Sequence, residues 1–201
     1  MFTWINKAHL FALILSLAGC QMEPGAFAAP GQTKAISVLG GEIKVAAPAG
    51  YCVDKKSARQ QDDGAVVLMG RCNGGSNHAP AVISVTIGIA GSAGVMADGG
   101  VALAAFFQTS DGRAALSRTG VADGVTIVQA ATNDGAFTLR IVEGGVGDYW
   151  RAIVGISGRL VTLSVQGPAG STLDPATGHA LLGASLVAMR KANPQRQGGT
   201  I

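Results

Sequence analysis

The stretch of sequence that decides the fold is WRAIVGISGRLVTLSV, which runs from Trp150 to Val165. Ser157-Gly158 lies between two apolar runs and is typical of a two-residue hairpin turn. Such a turn places apolar side chains opposite one another on one face, in the pairs Val154–Val161, Ala152–Leu163 and Trp150–Val165. Arg151 and Ser164 fall together on the other face. Because the turn and the hydrophobic pattern give the same register, this stretch predicts an antiparallel hairpin with one buried face.

Similar patterns on the N-terminal side extend this hairpin into a larger sheet. Residues 125–165 predict a meander of four antiparallel strands, separated by glycine-containing turns. Gly40-Gly41 lies between two short apolar runs and predicts an N-terminal hairpin with a two-residue turn. Residues 81–89 alternate cleanly and predict a half-buried strand. Its predicted apolar face carries Ile83, Val85, Ile87 and Ile89.

Helical patterns occupy the remaining segments. Helices are predicted over 101–108, over 110–116 and, at the C-terminal end of the chain, over 174–191. Asp174-Pro175 opens the last helix, because Asp is a favoured N-cap and Pro is favoured at the first helical position. Polar residues 54–61 predict one or two helical turns. The predicted fold class is therefore α+β, an antiparallel sheet built from the N-terminal hairpin and the four-strand meander, with helices packed on it.

The first residues have the features of a bacterial export leader. Lys7 precedes an apolar run of about ten residues, which is too short to span a bilayer as a helix. Leu17-Ala18-Gly19-Cys20 follows and resembles the lipobox of bacterial lipoproteins. That resemblance implies a signal peptide over 1–19 and a lipidated Cys20 as the first mature residue. Gln21 rather than Asp follows the cysteine, so the resemblance implies an outer-membrane lipoprotein facing the periplasm.

A second cleavage site leaves an alternative open. Ala26-Phe27-Ala28 is a small-residue site of the kind that a general signal peptidase cuts. Cleavage after Ala28 gives a soluble periplasmic or secreted protein. If the leader is instead cleaved at the lipobox, before Cys20, the predicted organisation has three parts. They are a lipidated N-terminus and flexible tether over 20–34, a single α+β domain over 35–192 and a disordered tail over 193–201.

Composition narrows the classes of partner. Charged residues are 13% of the chain, and the formal net charge is +3. No more than two basic residues are adjacent anywhere, so the sequence does not have the basic patch that a nucleic-acid partner requires. The predicted partners are the membrane, through the lipid anchor, and an envelope protein or a small ligand.

The cysteines outside the leader, Cys52 and Cys72, predict a disulfide if the protein is exported to an oxidising compartment. Such a bridge closes a loop of about 20 residues and stabilises the fold by roughly 3 kcal/mol on the chain-entropy model. Two alternatives remain: two free thiols, or a zinc site, for which His78 is the nearby additional ligand.

The chemistry-bearing residues form no recognisable catalytic motif. Outside the leader the histidines are His78 and His179, and no nucleophile elbow, zinc-binding motif or phosphate-binding loop pattern accompanies them. The sequence therefore predicts no catalytic residue, metal or cofactor. Arg140 and Arg151 are candidate ligand-binding residues, because together they can line an anion-binding face of the sheet.

The order of elements resembles the Mog1/PsbP-type fold. The likest part is YWR at 149–151 with SGRLVTL at 157–163, followed by a loop and a final helix. This resemblance implies a protein that binds proteins or cofactors and is not a catalyst. Residues 49–54 and 67–72 are also similar to small exported proteins of alphaproteobacteria. The prediction is a lipid-anchored cell-envelope binding module without catalytic activity. The alternative is an envelope hydrolase that uses His78 or His179.

Overall fold

The computed structural model describes residues 32–73 and 77–194. The predicted signal peptide 1–19, the lipidation site Cys20, the tether as far as residue 31 and residues 195–201 of the predicted tail lie outside the described residues.

The described chain contains ten strands and three α-helices. The strands are β1 (Gln32–Thr33), β2 (Ala35–Val38), β3 (Ile43–Ala46), β4 (Tyr51–Gln61), β5 (Gly64–Arg71), β6 (Val82–Ala90), β7 (Val125–Asn133), β8 (Ala136–Glu143), β9 (Gly147–Ile156) and β10 (Arg159–Gln166). The helices are α1 (Val101–Gln108), α2 (Ser110–Leu116) and α3 (Pro175–Ala192). The predicted α+β class is confirmed.

Eight of the strands form one antiparallel sheet, in the order β1-β4-β5-β6-β10-β9-β8-β7. The predicted register of the β9–β10 hairpin is confirmed pair by pair, from Val154 opposite Val161 to Trp150 opposite Val165. Ser157 and Gly158 have φ of 49° and 77°, the left-handed backbone that a two-residue hairpin turn requires. The turn therefore sets which side chains of both strands reach the core.

One face of the sheet packs against α3 and against the β2–β3 hairpin. The sequence predicts the N-terminal hairpin in the same sheet as the meander, and that detail is wrong, because β2 and β3 pair with each other as a separate two-stranded sheet. Leu182 and Met189 of α3 are buried in the same core as Trp150 and Leu163 of the sheet. Asp174 caps α3 as predicted, because its carboxylate accepts a hydrogen bond of 2.8 Å from the Thr177 backbone N–H. The large sheet is thus closed on this side by a helix and a hairpin.

Both ends of the predicted domain extend further than expected. The sequence predicts Gln32 and Thr33 in the tether, yet they pair with Asp54 and Val53 as strand β1. Asn193 is predicted in the tail, yet its side chain accepts from the backbone N–H of Lys44 and donates to its carbonyl, each at 2.8 Å. The first and last described segments are therefore held by hydrogen bonds to the fold.

The prediction of helical turns over 54–61 is wrong, because this segment continues strand β4. A bulge between Asp54 and Arg59 shifts the register against β5. Within the bulge the Ser57 hydroxyl accepts from the backbone N–H of Leu68 at 2.8 Å and donates to the Asp54 carbonyl at 2.6 Å. These side-chain hydrogen bonds replace part of the backbone ladder, so a polar, exposed segment remains extended.

Two further details differ from the predictions. The β2–β3 ladder ends with Val38 opposite Ile43, so the turn contains four residues, 39–42, where two were expected. Ile89, predicted to face the core, is 62% exposed. The cause is a bulge in β6, where Ala90 pairs with Arg159 but Ile87 already pairs with Val161. The extra residue turns Ile89 outward.

Candidate functional site

A cleft of about 480 Å³ lies between helices α1 and α2 and strand β7, on the sheet face opposite α3. Its floor is made by Phe137 and Leu139 of β8, which are 2% and 0% exposed. Ala104 and Phe107 of α1 form one wall, and β7 forms the other. We call this cleft the β7 groove. Its volume falls within the range of pockets that hold small ligands or a few side chains of a partner.

The helical wall of the groove is fixed by packing and by a tight interhelical turn. The ring of Phe107 stacks on the ring of Phe137, with centroids 5.9 Å apart and planes 10° apart. Thr109 caps α2, since its hydroxyl accepts from the Gly112 backbone N–H at 3.0 Å. A β-carbon at Gly112 would collide with the Phe106 carbonyl, so the turn requires glycine there. These contacts hold α1 and α2 beside β7.

The strand wall ends in an exposed edge, because β7 is the last strand of the sheet. A bulge lies between Ile127 and Gln129, where Val128 has no partner on β8. Val128 is 50% exposed, and Phe106, on α1, is 42% exposed. Exposed apolar side chains thus accompany a mostly apolar cleft, a combination that marks binding surfaces.

One cation lines the groove. The Arg113 guanidinium donates from Nη1 to the Gln108 carbonyl at 2.7 Å. The ion pairs found over residues 32–73 and 77–194 involve only Arg140 and Arg159 as cations. The charge of Arg113 is therefore not neutralised by a carboxylate of the described chain.

A buried carboxylate fixes the segment that follows α2. Glu143 is 4% exposed and accepts from the backbone N–H of Arg118 at 2.7 Å and from the hydroxyl of Ser117 at 3.2 Å. The Tyr149 hydroxyl donates to the same carboxylate at 3.3 Å. Burial, with the adjacent Glu143 charge, raises the pKa of Tyr149 to about 12. Tyr149 therefore stays a neutral donor, and the network is structural.

The two predicted ligand-binding arginines lie on opposite faces of the sheet. Arg140 stands directly across from Trp150 and so shares the face of α3, where it forms a bidentate pair with Asp148. Arg151 stands across from Leu139, on the face of the β7 groove. Its Nε donates to Ser164 at 3.0 Å. They do not line a common anion-binding face.

The histidines of the hydrolase alternative contact different strands of the sheet, and both are exposed. The His179 ring packs on Trp150 with centroids 4.5 Å apart, beside α3. The His78 ring lies 5.9 Å from the ring of Tyr51, at the start of β4. In the part of the chain that the structure describes, no group of three His, Cys, Asp or Glu residues is placed to hold a metal ion.

Cys52 and Cys72 form a disulfide, which excludes the zinc and free-thiol alternatives. The bridge joins the start of β4 to the residue after β5, at the side of the sheet where β1 pairs. Lys34 lies close by, with Nζ 3.3 Å from the sulfur of Cys72 and 3.0 Å from the Tyr51 carbonyl. The disulfide therefore belongs to the framework and lies outside the β7 groove.

A second, more polar cleft of about 930 Å³ lies between the β2–β3 hairpin, the β9–β10 turn and the end of α3. Several of its polar groups are already engaged in contacts within the domain. Glu42 pairs with Arg159, and Lys44 is hydrogen-bonded through its backbone to Asn193. These contacts tie the hairpin to the domain, and for that reason we place the candidate site in the β7 groove.

Fold and site together define an α+β domain with an antiparallel sheet, helices on both faces and an apolar groove at one sheet edge. No family model and no curated protein matches the chain. Among solved structures, a mutant of the protein Mog1 is similar over 80% of this chain and 94% of its own, with 14% identity and a TM-score of 0.44. That likeness is too distant to carry an argument. Within the described residues, no helix combines the length and apolarity needed to cross a membrane.

Proposed function

We infer that this chain is a lipid-anchored protein of the bacterial cell envelope whose domain is a non-catalytic binding module. Support for the anchor is the apolar leader that ends in Leu17-Ala18-Gly19-Cys20. Support for binding is the β7 groove, in which an apolar floor meets an exposed strand edge. That groove is the observation that carries the proposal, because soluble domains rarely leave such a surface without a partner.

Anchoring is tested with Cys20→Ala in cells that process lipoproteins. We expect the unchanged protein to fractionate with envelopes and to carry an acylated Cys20 at its mature N-terminus. The variant should lose both the acyl groups and the mature N-terminus at residue 20. Stable anchoring requires more than one acyl chain. A mature N-terminus at Ala29, without acylation, would contradict the anchor.

Binding in the groove is tested by placing a photo-reactive phenylalanine analogue at Val128 in the full chain. A matched control carries the same analogue at Val187, which is 65% exposed on α3 at the other face of the sheet. We expect irradiation of intact envelopes to give a discrete adduct from position 128 and none from position 187. Equal labelling of both positions, or no adduct at 128, would overturn the proposed site.

A further inference from the structure

The two edges of the large sheet differ in their coverage and in the charge of their residues. The β4 edge is paired with β1 at Val53 and Asp54, and beyond that point it carries Lys55, Lys56 and Arg59. Covering strands and charged side chains are the devices by which proteins block pairing at a sheet edge. The β7 edge carries the uncharged residues VTIVQAATN, and no strand of the described chain covers it. Among residues 32–73 and 77–194, only the β4 edge is therefore protected.

The backbone groups of β7 beyond the bulge can be placed from the ladder. Asn133 and Ala136 flank the two-residue turn and exchange backbone hydrogen bonds, as such turns require. In an antiparallel pair the bonded and non-bonded positions alternate, so Ala131 also bonds to β8. The N–H and C=O groups of Ala130 and Thr132 therefore point away from β8, to the open edge.

The same alternation applies before the bulge. The Gly144 backbone N–H donates to the Gly124 carbonyl at 2.9 Å, just ahead of β7. Counting by two residues, Thr126 bonds to β8, and Val125 and Ile127 direct their backbone groups outward. Outward donors and acceptors thus occur on both sides of Val128, along most of the strand.

Side chains of an added strand would alternate between the two faces of the sheet. Every second one would then lie on the groove face, next to Val125, Ile127 and Ala130 of β7, and would extend the apolar surface that begins with Phe137 and Leu139. Strand addition of this kind draws affinity from the main chain and specificity from the pocket that receives alternate side chains. The groove therefore fits an extended segment with apolar residues at alternate positions.

The charge of Arg113 sets a further requirement. Arg113 is half-buried as a residue, lines the groove and has no carboxylate partner among residues 32–73 and 77–194. A carboxylate on the incoming segment would supply a charge-assisted hydrogen bond, whereas an ammonium there would be repelled. Charge complementarity therefore favours an acidic residue or a terminal carboxylate.

We propose that the β7 groove binds an extended apolar segment of a partner protein, which adds as a further strand to β7 and places one carboxylate beside Arg113. This inference rests on the proposed function and specifies the chemistry of its partner.

The test uses two fluorescent octapeptide pools and the purified domain with its disulfide intact. Both pools are amidated at the C-terminus and carry Val, Ile, Leu or Phe at alternate positions with Thr between them. The last residue is Glu in one pool and Lys in the other. We expect saturable binding of the Glu pool by fluorescence anisotropy and binding of the Lys pool weaker by about tenfold. Arg113→Gln should remove that difference, and Val187→Lys should change nothing.

Strand addition is checked separately at the backbone. Ala130→Pro removes one outward N–H and should abolish binding of both pools, with an unchanged circular dichroism spectrum as the control for folding. In the unchanged protein, bound Glu pool should slow hydrogen exchange at Ile127 and Ala130. Absent binding, equal binding of the pools, or unchanged exchange would overturn the inference. An adduct at Val128 in envelopes together with a failed peptide test would reject the extended segment and leave the proposed site standing.

Discussion

Glu42 and Arg159 stand 117 positions apart in the chain, yet Arg159 Nη2 lies 2.8 Å from Glu42 Oε2. Arg159 is only 3% exposed. The same guanidinium donates to the Asp63 carbonyl and carboxylate and to the Gly88 carbonyl. One side chain thereby joins the N-terminal hairpin to the β4–β5 turn and to β6. A buried cation is tolerated at this position because every one of these contacts satisfies it.

Replacing Arg159 with Met should destabilise the domain strongly, because two half-buried carbonyls and two carboxylates lose their donor together. We expect the urea midpoint to fall by about 1 M or more. Lys191→Met, on the exposed side of α3, removes the same charge and should leave the midpoint within error. Equal midpoints for the two variants would contradict the role of Arg159.

Asp63 should make stability depend on acid pH. The Ala90 backbone N–H, and then Arg159, donate to its carboxylate and hold its pKa below the ordinary value of about 3.9. The unfolded state therefore binds the proton first as pH falls. The stabilising contribution is complete above pH of about 4 and is lost as pH falls through the lowered pKa of the folded state.

Asp63→Asn should therefore be less stable than the unchanged protein at pH 7 and should lose less stability on acidification. The measurement is the thermal midpoint between pH 7 and pH 2 for both proteins. Parallel pH profiles would show that the carboxylate does not contribute in this way.

Removing the disulfide should cost about 3 kcal/mol of unfolding free energy, since its two cysteines are 20 residues apart in the sequence. The variant is Cys52→Ala with Cys72→Ala, measured by urea unfolding. Added dithiol should lower the stability of the unchanged protein toward that of the variant and should not affect the variant itself. If dithiol lowered the stability of the unchanged protein and of the variant by similar amounts, the loss of stability would not be due to the disulfide.

Substitution by alanine at two glycines of α3 should change the stability of the domain in opposite directions. A β-carbon at Gly178 would lie 2.9 Å from Cδ1 of Trp150, whose indole N–H is held by the Pro175 carbonyl. Gly178→Ala should therefore destabilise the domain by about 1–3 kcal/mol. Gly183 has open space around it, so Gly183→Ala should stabilise by about 0.5–1 kcal/mol. Urea unfolding measures the change in the free energy of unfolding for each variant. Changes of the same sign would contradict this packing.

The β9–β10 hairpin could be predicted to the residue because turn chemistry and hydrophobic alternation specify one register. The same reasoning could not assign Arg140 and Arg151 to the correct faces of the sheet. Glu143 pairs with Gly147, so a three-residue turn separates β8 from β9 and places Arg140 beside Trp150. Glycines at 144, 145 and 147 allow several turn lengths, and each change of one residue exchanges the two faces.

The groove itself had no distinctive sequence signal. Its position depends on β7 being the last strand and on the bulge at Val128, and both are properties of strand order and register. The helical assignment of 54–61 failed for a related reason. At a sheet edge, polar side chains face water on both sides, so the period of two that identifies a strand disappears.

The strand order also has a mechanical consequence for a tethered protein. Gln32 enters the fold at β1, and β7 is at the opposite edge, seven strand spacings or roughly 34 Å away. With the proposed anchor and partner in place, tension between them runs across the strands. Every ladder of hydrogen bonds between β1 and β7 then carries this load. The covalent Cys52–Cys72 link lies at the β4–β5 seam, next to the tethered end. Pulling would therefore open other seams of the sheet before this one.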